Sequence, residues 1–203
     1  SGNAMVCLVH GSGERVAESY DGVASGAAVL HVTFYRNSFV PGAFPVPLGA
    51  QWKYDDSGTD LGTAWRANNY VDTAWAFGPA ILGYGNGNEA TVMSFGNNAG
   101  NKHPTTYLRH SFIAPDLSDY DSLDFRVLRD DGVIVYVNGV EAFRMNMPTG
   151  PVTYNTLASS TVGGANETTY FVQRVPNNLI SNDTNYIAVE LHQASANSSD
   201  LSF

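Results

Sequence analysis

Apolar and polar residues alternate with a period of two along several short stretches of this 203-residue chain. In Thr106 to Ile113, the positions Tyr107, Arg109 and Ser111 oppose Leu108, His110 and Phe112. That is the pattern of a strand with two unlike faces. Phe125 to Arg144 reads as three short strands, punctuated by Asp130-Asp131-Gly132 and by Asn138-Gly139. Asn-Gly between apolar β-formers predicts a two-residue hairpin turn, because both residues tolerate positive φ. Ala50 to Tyr54, Thr168 to Gln173 and Tyr186 to His192 read as further strands, and Leu201 and Phe203 begin a last one. Thr63 to Tyr70 and Val71 to Phe77 carry Trp65 and Trp75, with a short helical turn expected at Asp72 to Trp75. Gly83 to Asn88 is a loop, and Pro115 to Asp121 a polar connection. No long helical periodicity with caps occurs. Turn signals at a spacing of about 8–12 residues predict an all-β antiparallel β-sandwich or jelly roll.

The first 40 residues have a different texture. Gly11-Ser12-Gly13 and the Gly/Ala-rich run from Gly22 to Ala28 carry little pattern, and only Val29 to Tyr35 alternates as a strand would. Pro41, Pro45 and Pro47 then form an extended linker, since each fixes φ and removes a donor. The expected division is an N-terminal extension or remnant over 1–40 and a β-sandwich domain over 41–203.

Composition narrows the function. Charged residues make up 14% of the chain and the net charge is -9. A phosphate backbone needs a basic face, so nucleic acid is not an expected partner. The same charge argues against an anionic membrane surface, and no apolar run approaches the roughly 18–20 residues of a membrane span. Cys7 stands alone, so no internal disulfide can form. Ser1 to Met5 reads as a cloning remnant before a start methionine, which would place any export signal outside this chain.

Candidate chemistry is sparse. Val9-His10-Gly11-Ser12-Gly13 has the look of an oxyanion-hole loop, but the Gly-x-Ser-x-Gly elbow that such a hydrolase requires is missing. His10, His31, His103, His110 and His192 are scattered without metal-ligand spacing; His110 and His192 are expected as hydrogen-bonded residues on a sheet face. Calcium fits better, since it takes clustered carboxylates and loop carbonyls. Asp55, Asp56 and Asp60 lie in one tight loop, although they fail the EF-hand pattern. The alternative for them is turn chemistry, with carboxylates capping backbone donors. Asp130 and Asp131 are expected to sit on opposite faces, the inward one paired with backbone donors or with Arg109, Arg126, Arg129 or Arg144. Trp52 and Trp75 are expected in the core. Trp65, Tyr70, Tyr84, Asn86 and Asn88 are the candidate ligand residues, because sugar C–H faces stack on aromatic rings while loop amides read hydroxyls.

Several segments in order carry a family resemblance: Trp52-Lys53-Tyr54 with the acidic loop to Asp60, Gly62-Thr63-Ala64-Trp65-Arg66, Asp72-Thr73-Ala74-Trp75 and Gly83-Tyr84-Gly85. They continue with Thr106-Tyr107-Leu108-Arg109, Leu128 to Gly132, Tyr136 to Gly139, Asn146-Met147-Pro148 and Ala188 to Gln193. Together they resemble the galactose-binding-domain-like jelly rolls found beside bacterial secreted phosphoesterases and glycoside hydrolases. The resemblance covers about residues 48–203. It implies an extracellular or cell-surface, non-catalytic, carbohydrate-binding-like module. It also places Gln193 and Asn197 at one end of the sandwich, adds Asp200 as a structural calcium ligand near the terminal strands, and extends the last strand past Phe203. The alternative is a structural domain that packs on a neighbouring hydrolase or phosphoesterase without a sugar ligand. The expected partner is thus a carbohydrate or an adjacent enzyme domain.

Overall fold

The computed structural model describes residues 45–114 and 121–203, together with the backbone of 15–18 and 29–32. Cys7, the loop Val9 to Gly13, the expected strand beyond Val32 and the connection Pro115 to Tyr120 lie outside the described residues. The chain divides into two compact units, Ser1–Pro41 and Gly42–Phe203. In the first, β1 (Arg15–Glu18) and β2 (Val29–Val32) pair antiparallel, from Arg15 opposite Val32 to Glu18 opposite Val29.

The second unit is a β-sandwich. Its large layer contains β3 (Gln51–Asp55), β4 (Ala76–Pro79), β7 (Thr105–Ile113), β9 (Gly132–Val137), β10 (Val140–Met145) and β12 (Thr184–His192). They lie side by side in the order β10-β9-β12-β7-β3-β4, and every pair is antiparallel. Two small sheets complete the sandwich. One orders β13 (Leu201–Ser202), β5 (Leu82–Tyr84) and β6 (Thr91–Val92), with β5 and β6 parallel. The other pairs β8 (Ser122–Val127) with β11 (Phe171–Pro176).

The alternation read from the sequence decides what each face of the large sheet carries. On the inner face, Leu108, Val133, Val135, Val137, Val189 and Leu191 are each at most 1% exposed. They pack with Leu82, Tyr84 and Leu201 from one small sheet and Leu123, Phe125 and Val127 from the other. The β9–β10 hairpin turns on Asn138 and Gly139, at φ 51° and 82°, as the Asn-Gly pair requires. Gly83 is needed for a different reason: a Cβ there would collide with the Leu201 carbonyl oxygen where β13 lies against β5.

A second, smaller core sits on the outer face. It gathers Trp65, Tyr107, Ile134, Tyr136 and Ala188. Trp65 is held in a 3₁₀ turn, Ala64–Arg66, and its indole N–H donates to the Gly62 carbonyl at 3.0 Å. The packing anchor of this region is therefore Trp65, which is fully buried. Trp75, expected in that role, is half-buried at the margin of this cluster and stacks edge-on against Tyr70 at 5.8 Å. Trp52 is core, as expected from the sequence.

Candidate functional site

One rung across the large sheet organises the outer face. Strand register sets Phe77, Lys53, Arg109, Ala188, Tyr136 and Glu141 in a row from β4 to β10. The Trp65 turn covers the Tyr136 end of this row. At the other end, the sheet and the segment 68–72 enclose an open groove of about 630 Å³. Gln51, Lys53, Asn68, Asn69, Tyr70, Asp72, Phe77, Arg109, Ser111 and Tyr186 line it, together with Trp52 and His110.

The groove floor is an ion network. Arg109 is 1% exposed. Its Nε donates to Asp72 Oδ2 at 2.8 Å and its Nη1 to the Trp65 carbonyl. The rings of Tyr70 and Tyr186 each lie 5.5 Å from its guanidinium. Lys53 Nζ donates to the other Asp72 oxygen at 2.5 Å. Burial opposes ionisation of Asp72, but the bonds from Lys53 and Arg109 outweigh it and hold the carboxyl below its ordinary range. Burial lowers the His110 pKa, while its Nδ1 meets the Gln51 carbonyl at 2.8 Å. Above this floor Phe77 stands 72% exposed. The groove thus combines an open aromatic ring, two half-buried tyrosines, amide side chains and a fixed charged floor.

Beside the groove, the same face holds a closed polar cluster. Glu190 accepts from Tyr136 Oη at 2.6 Å and from Arg66 Nη2 at 3.3 Å, with His192 Nε2 3.7 Å away. Burial would raise Glu190, but contacts from His192, Tyr136 and Arg66 hold it below the usual range. His192 Nδ1 meets the Thr156 carbonyl at 2.7 Å. Glu190, Tyr136 and His192 are at most 4% exposed, and none of them lines the groove.

Of the ligand residues expected from the sequence, Tyr70 lines the groove. Trp65 is enclosed in the outer core. Tyr84 is 5% exposed and accepts a hydrogen bond from Gln193, itself 1% exposed. Asn86 donates to Ser202 Oγ at 2.9 Å, so this trio helps to seat β13. Asn88 and Asn197 are exposed, and Asn197 accepts from Ser195 Oγ at 3.0 Å. The seven residues do not converge on one site. Phe77, Lys53, Arg109, Asn68 and Tyr186 were not foreseen; the signal was present in the alternation of Arg109 and Ser111, but the neighbours of β7 were not.

The acidic residues divide in two. Asp55 Oδ1 accepts from the Ser57 amide and hydroxyl at 3.1 and 2.7 Å, Asp56 Oδ2 from the Ser94 amide at 2.5 Å, and Asp60 Oδ1 from the Gly62 amide at 2.9 Å. These are backbone-capping contacts. Asp200 belongs to another group, in which Asp130, Glu167 and Asp200 each bring one carboxylate oxygen within 4.8 Å of the others. Asp130 and Asp131 are both buried, where one inward residue was expected; they lie between β8 and β9, and Asp130 forms an isolated bridge with Ser202. Asp131 accepts from the Val162 and Ala194 amides at 2.8 and 2.7 Å and from Ser198 Oγ at 3.3 Å. Neither oxygen of Asp130 has a hydrogen-bond partner. Burial, reinforced by the adjoining Asp131, pushes its carboxyl up to about 8. Of the arginines expected nearby, Arg109 pairs with Asp72 and Arg144 with Glu141, and Arg126 is exposed on β8. Arg129 donates to the Asp131 carbonyl, and the charges of Asp130 and Asp131 favour its cation against burial.

No protein-family model and no curated protein matches the chain. Among solved structures, Ruminococcus gnavus β-glucuronidase is similar over 72% of this chain and 21% of its own, at 11% identity and a TM-score of 0.45. A calcium-binding mutant of Bacteroides uniformis β-glucuronidase 2 matches over 71% of this chain and 14% of its own, at 12% identity and a TM-score of 0.44. A β-glucuronidase from glycoside hydrolase family 2 matches over 71% and 13%, at 15% identity and a TM-score of 0.43. The chain spans about a fifth or less of the length of these proteins. Among the described residues, no helix is long and apolar enough to cross a membrane.

Proposed function

We propose that this chain is a non-catalytic carbohydrate-binding module of an extracellular protein, and that the glycan lies in the groove along β3, β4 and β7. The observation that carries this reading is Phe77, a large ring left 72% exposed on the same rung as the Lys53–Asp72–Arg109 floor. A pyranose presents C–H faces that stack on such a ring. Gln51, Asn68, Asn69 and Ser111 lie within the same lining and supply donors and acceptors for hydroxyls. Asp72 is committed to two cations, so the groove floor orients a ligand and offers no free carboxylate pair of the kind glycoside hydrolysis uses. Binding at one such site is weak, since hydroxyl contacts replace contacts to water.

A second reading has its own support. Val71, Phe77 and Ile113 are each at least 70% exposed, and apolar exposure of this kind also suits packing against a neighbouring enzyme domain. A glycan array with the 203-residue chain, beside a Phe77→Ala variant, separates the two. Retention of a glycan class by the parent and its loss in the variant is the expected result. Binding to no glycan at high module density overturns the carbohydrate reading and leaves the packing surface.

A further inference from the structure

The chain carries a net charge of -9, yet the groove along β3, β4 and β7 has the opposite sign. Among the described residues, its charged lining is Lys53, Arg109 and Asp72, two cations to one carboxylate. His110 adds no charge at neutral pH, because burial lowers its pKa. Resting on the carbohydrate reading of this groove, we propose that it selects sugars bearing an anionic group, a uronate carboxylate or a sulfate ester, which Lys53 grips beside the Phe77 ring.

Donor capacity is the first argument. An ammonium carries several N–H groups, and Asp72 is the one hydrogen-bond partner of Lys53 among the described residues, at 2.5 Å. The remaining N–H groups belong to a side chain that is 43% exposed. Beneath it, Arg109 is also incompletely met. Its Nε serves Asp72 and its Nη1 the Trp65 carbonyl, but the buried Nη2 has no hydrogen-bond partner. The Tyr70 and Tyr186 rings compensate that charge only in part. Each Asp72 oxygen already accepts from one of the two cations. A buried cation with an unmet donor is costly, and an anion held at Lys53 offsets that cost through the field of the guanidinium.

Placement is the second argument. Phe77, Lys53 and Arg109 are successive partners across β4, β3 and β7. Neighbouring strands lie about 4.8 Å apart, so a pyranose stacked on Phe77 can carry its exocyclic acid group toward the ammonium on the next strand. Hydrogen bonds from a cation to an oxyanion are roughly twice as strong as those between neutral groups. A neutral sugar in the same place takes water from the Lys53 ammonium and returns only hydroxyls. The rest of the chain sharpens the choice. Its net charge of -9 repels a dense polyanion, which leaves a site suited to a single acidic group on a sparsely charged glycan.

The test is calorimetry on the full chain with matched pairs of sugars: glucuronate and galacturonate oligosaccharides against their methyl esters, and 6-sulfated galactose oligosaccharides against their unsulfated parents. The anionic member of a pair should bind about tenfold tighter than its neutral partner, and the pair that shows this tells carboxylate from sulfate. Raising sodium chloride from about 0.05 M to about 0.5 M should remove most of that advantage, since the Lys53 contact is open to solvent. Lys53→Met should bring the anionic sugar down to the level of its neutral partner, and Lys53→Arg should keep the preference. If Lys53→Met melts well below the parent, the matched pairs on the parent and on Lys53→Arg decide. Equal binding of both members of every pair, lost in Phe77→Ala, overturns this inference and leaves the carbohydrate reading standing. A preference that survives in folded Lys53→Met also overturns it. Binding to none of the sugars overturns the carbohydrate reading itself, and this inference with it.

Discussion

The two faces of the large sheet obey the same alternation and use it differently. Arg109 and Leu108 are sequence neighbours on β7, and both are about fully buried. Leu108 faces an apolar interior shared with Val135 and Val189, where packing alone satisfies it. Arg109 faces a layer only partly covered by the Trp65 turn, so its charge must be met by Asp72, a carbonyl and two tyrosine rings. Burial on one face is the source of stability. On the other it is a constraint that fixes a polar floor, and that fixity is what a weak ligand site needs, since ordering costs would otherwise consume the binding energy.

The largest effect should come from the inner face. Leu108→Ala removes packing from a fully buried site and should cost about 2–5 kcal/mol, read as a drop in the denaturant midpoint with an unchanged slope. A cost below about 1 kcal/mol would mean that the inner layer collapses easily, and the contrast between faces would fail.

Asp72→Asn probes the outer face next. It leaves Arg109 buried without its carboxylate, and should cost about 2–3 kcal/mol, below the range for a fully buried pair because Lys53 and Asp72 keep contact with water. The same pair should show in pH. Asp72 has a folded pKa below its unfolded value, so its contribution is present above the unfolded value of about 3.9 and is lost as pH falls through the lower folded one. Melting temperatures followed downward from pH 5 should therefore fall more for the parent than for Asp72→Asn. Parallel curves would show that Asp72 does not stabilise the floor.

How far the sequence discloses this arrangement depends on range. The Asn138-Gly139 turn, the three strands around it and the two faces of β7 are local facts, and period-two alternation reveals them. Which strand lies beside which is not local. Arg109 becomes a groove residue only because β7 sits between β12 and β3, whose rung positions are 79 and 56 residues away at Ala188 and Lys53. Trp65 and Trp75 look alike in sequence, and only the Tyr107 and Tyr136 rings, 4.8 and 6.0 Å from Trp65, decide which indole is enclosed. The same holds for acids. Asp55, Asp56 and Asp60 cluster in sequence and are satisfied by amides, whereas Asp130, Glu167 and Asp200 cluster only in space.

The smallest stability effect should belong to the residue on which the proposed function most depends. Phe77 shares its rung with Arg109 but stands mostly in water, so Phe77→Ala forfeits little burial and should shift stability by no more than about 0.5 kcal/mol. If Phe77 is the stacking platform, the same variant should lose glycan retention in affinity electrophoresis, a loss of about tenfold at 1.4 kcal/mol. Leu108→Ala should show the reverse, with lowered stability but retained binding at temperatures where it stays folded. A Phe77→Ala variant that melts several degrees lower would place this ring in the packing of the sheet edge. It would erase the division of labour between a face that holds the fold and a face proposed to meet a ligand.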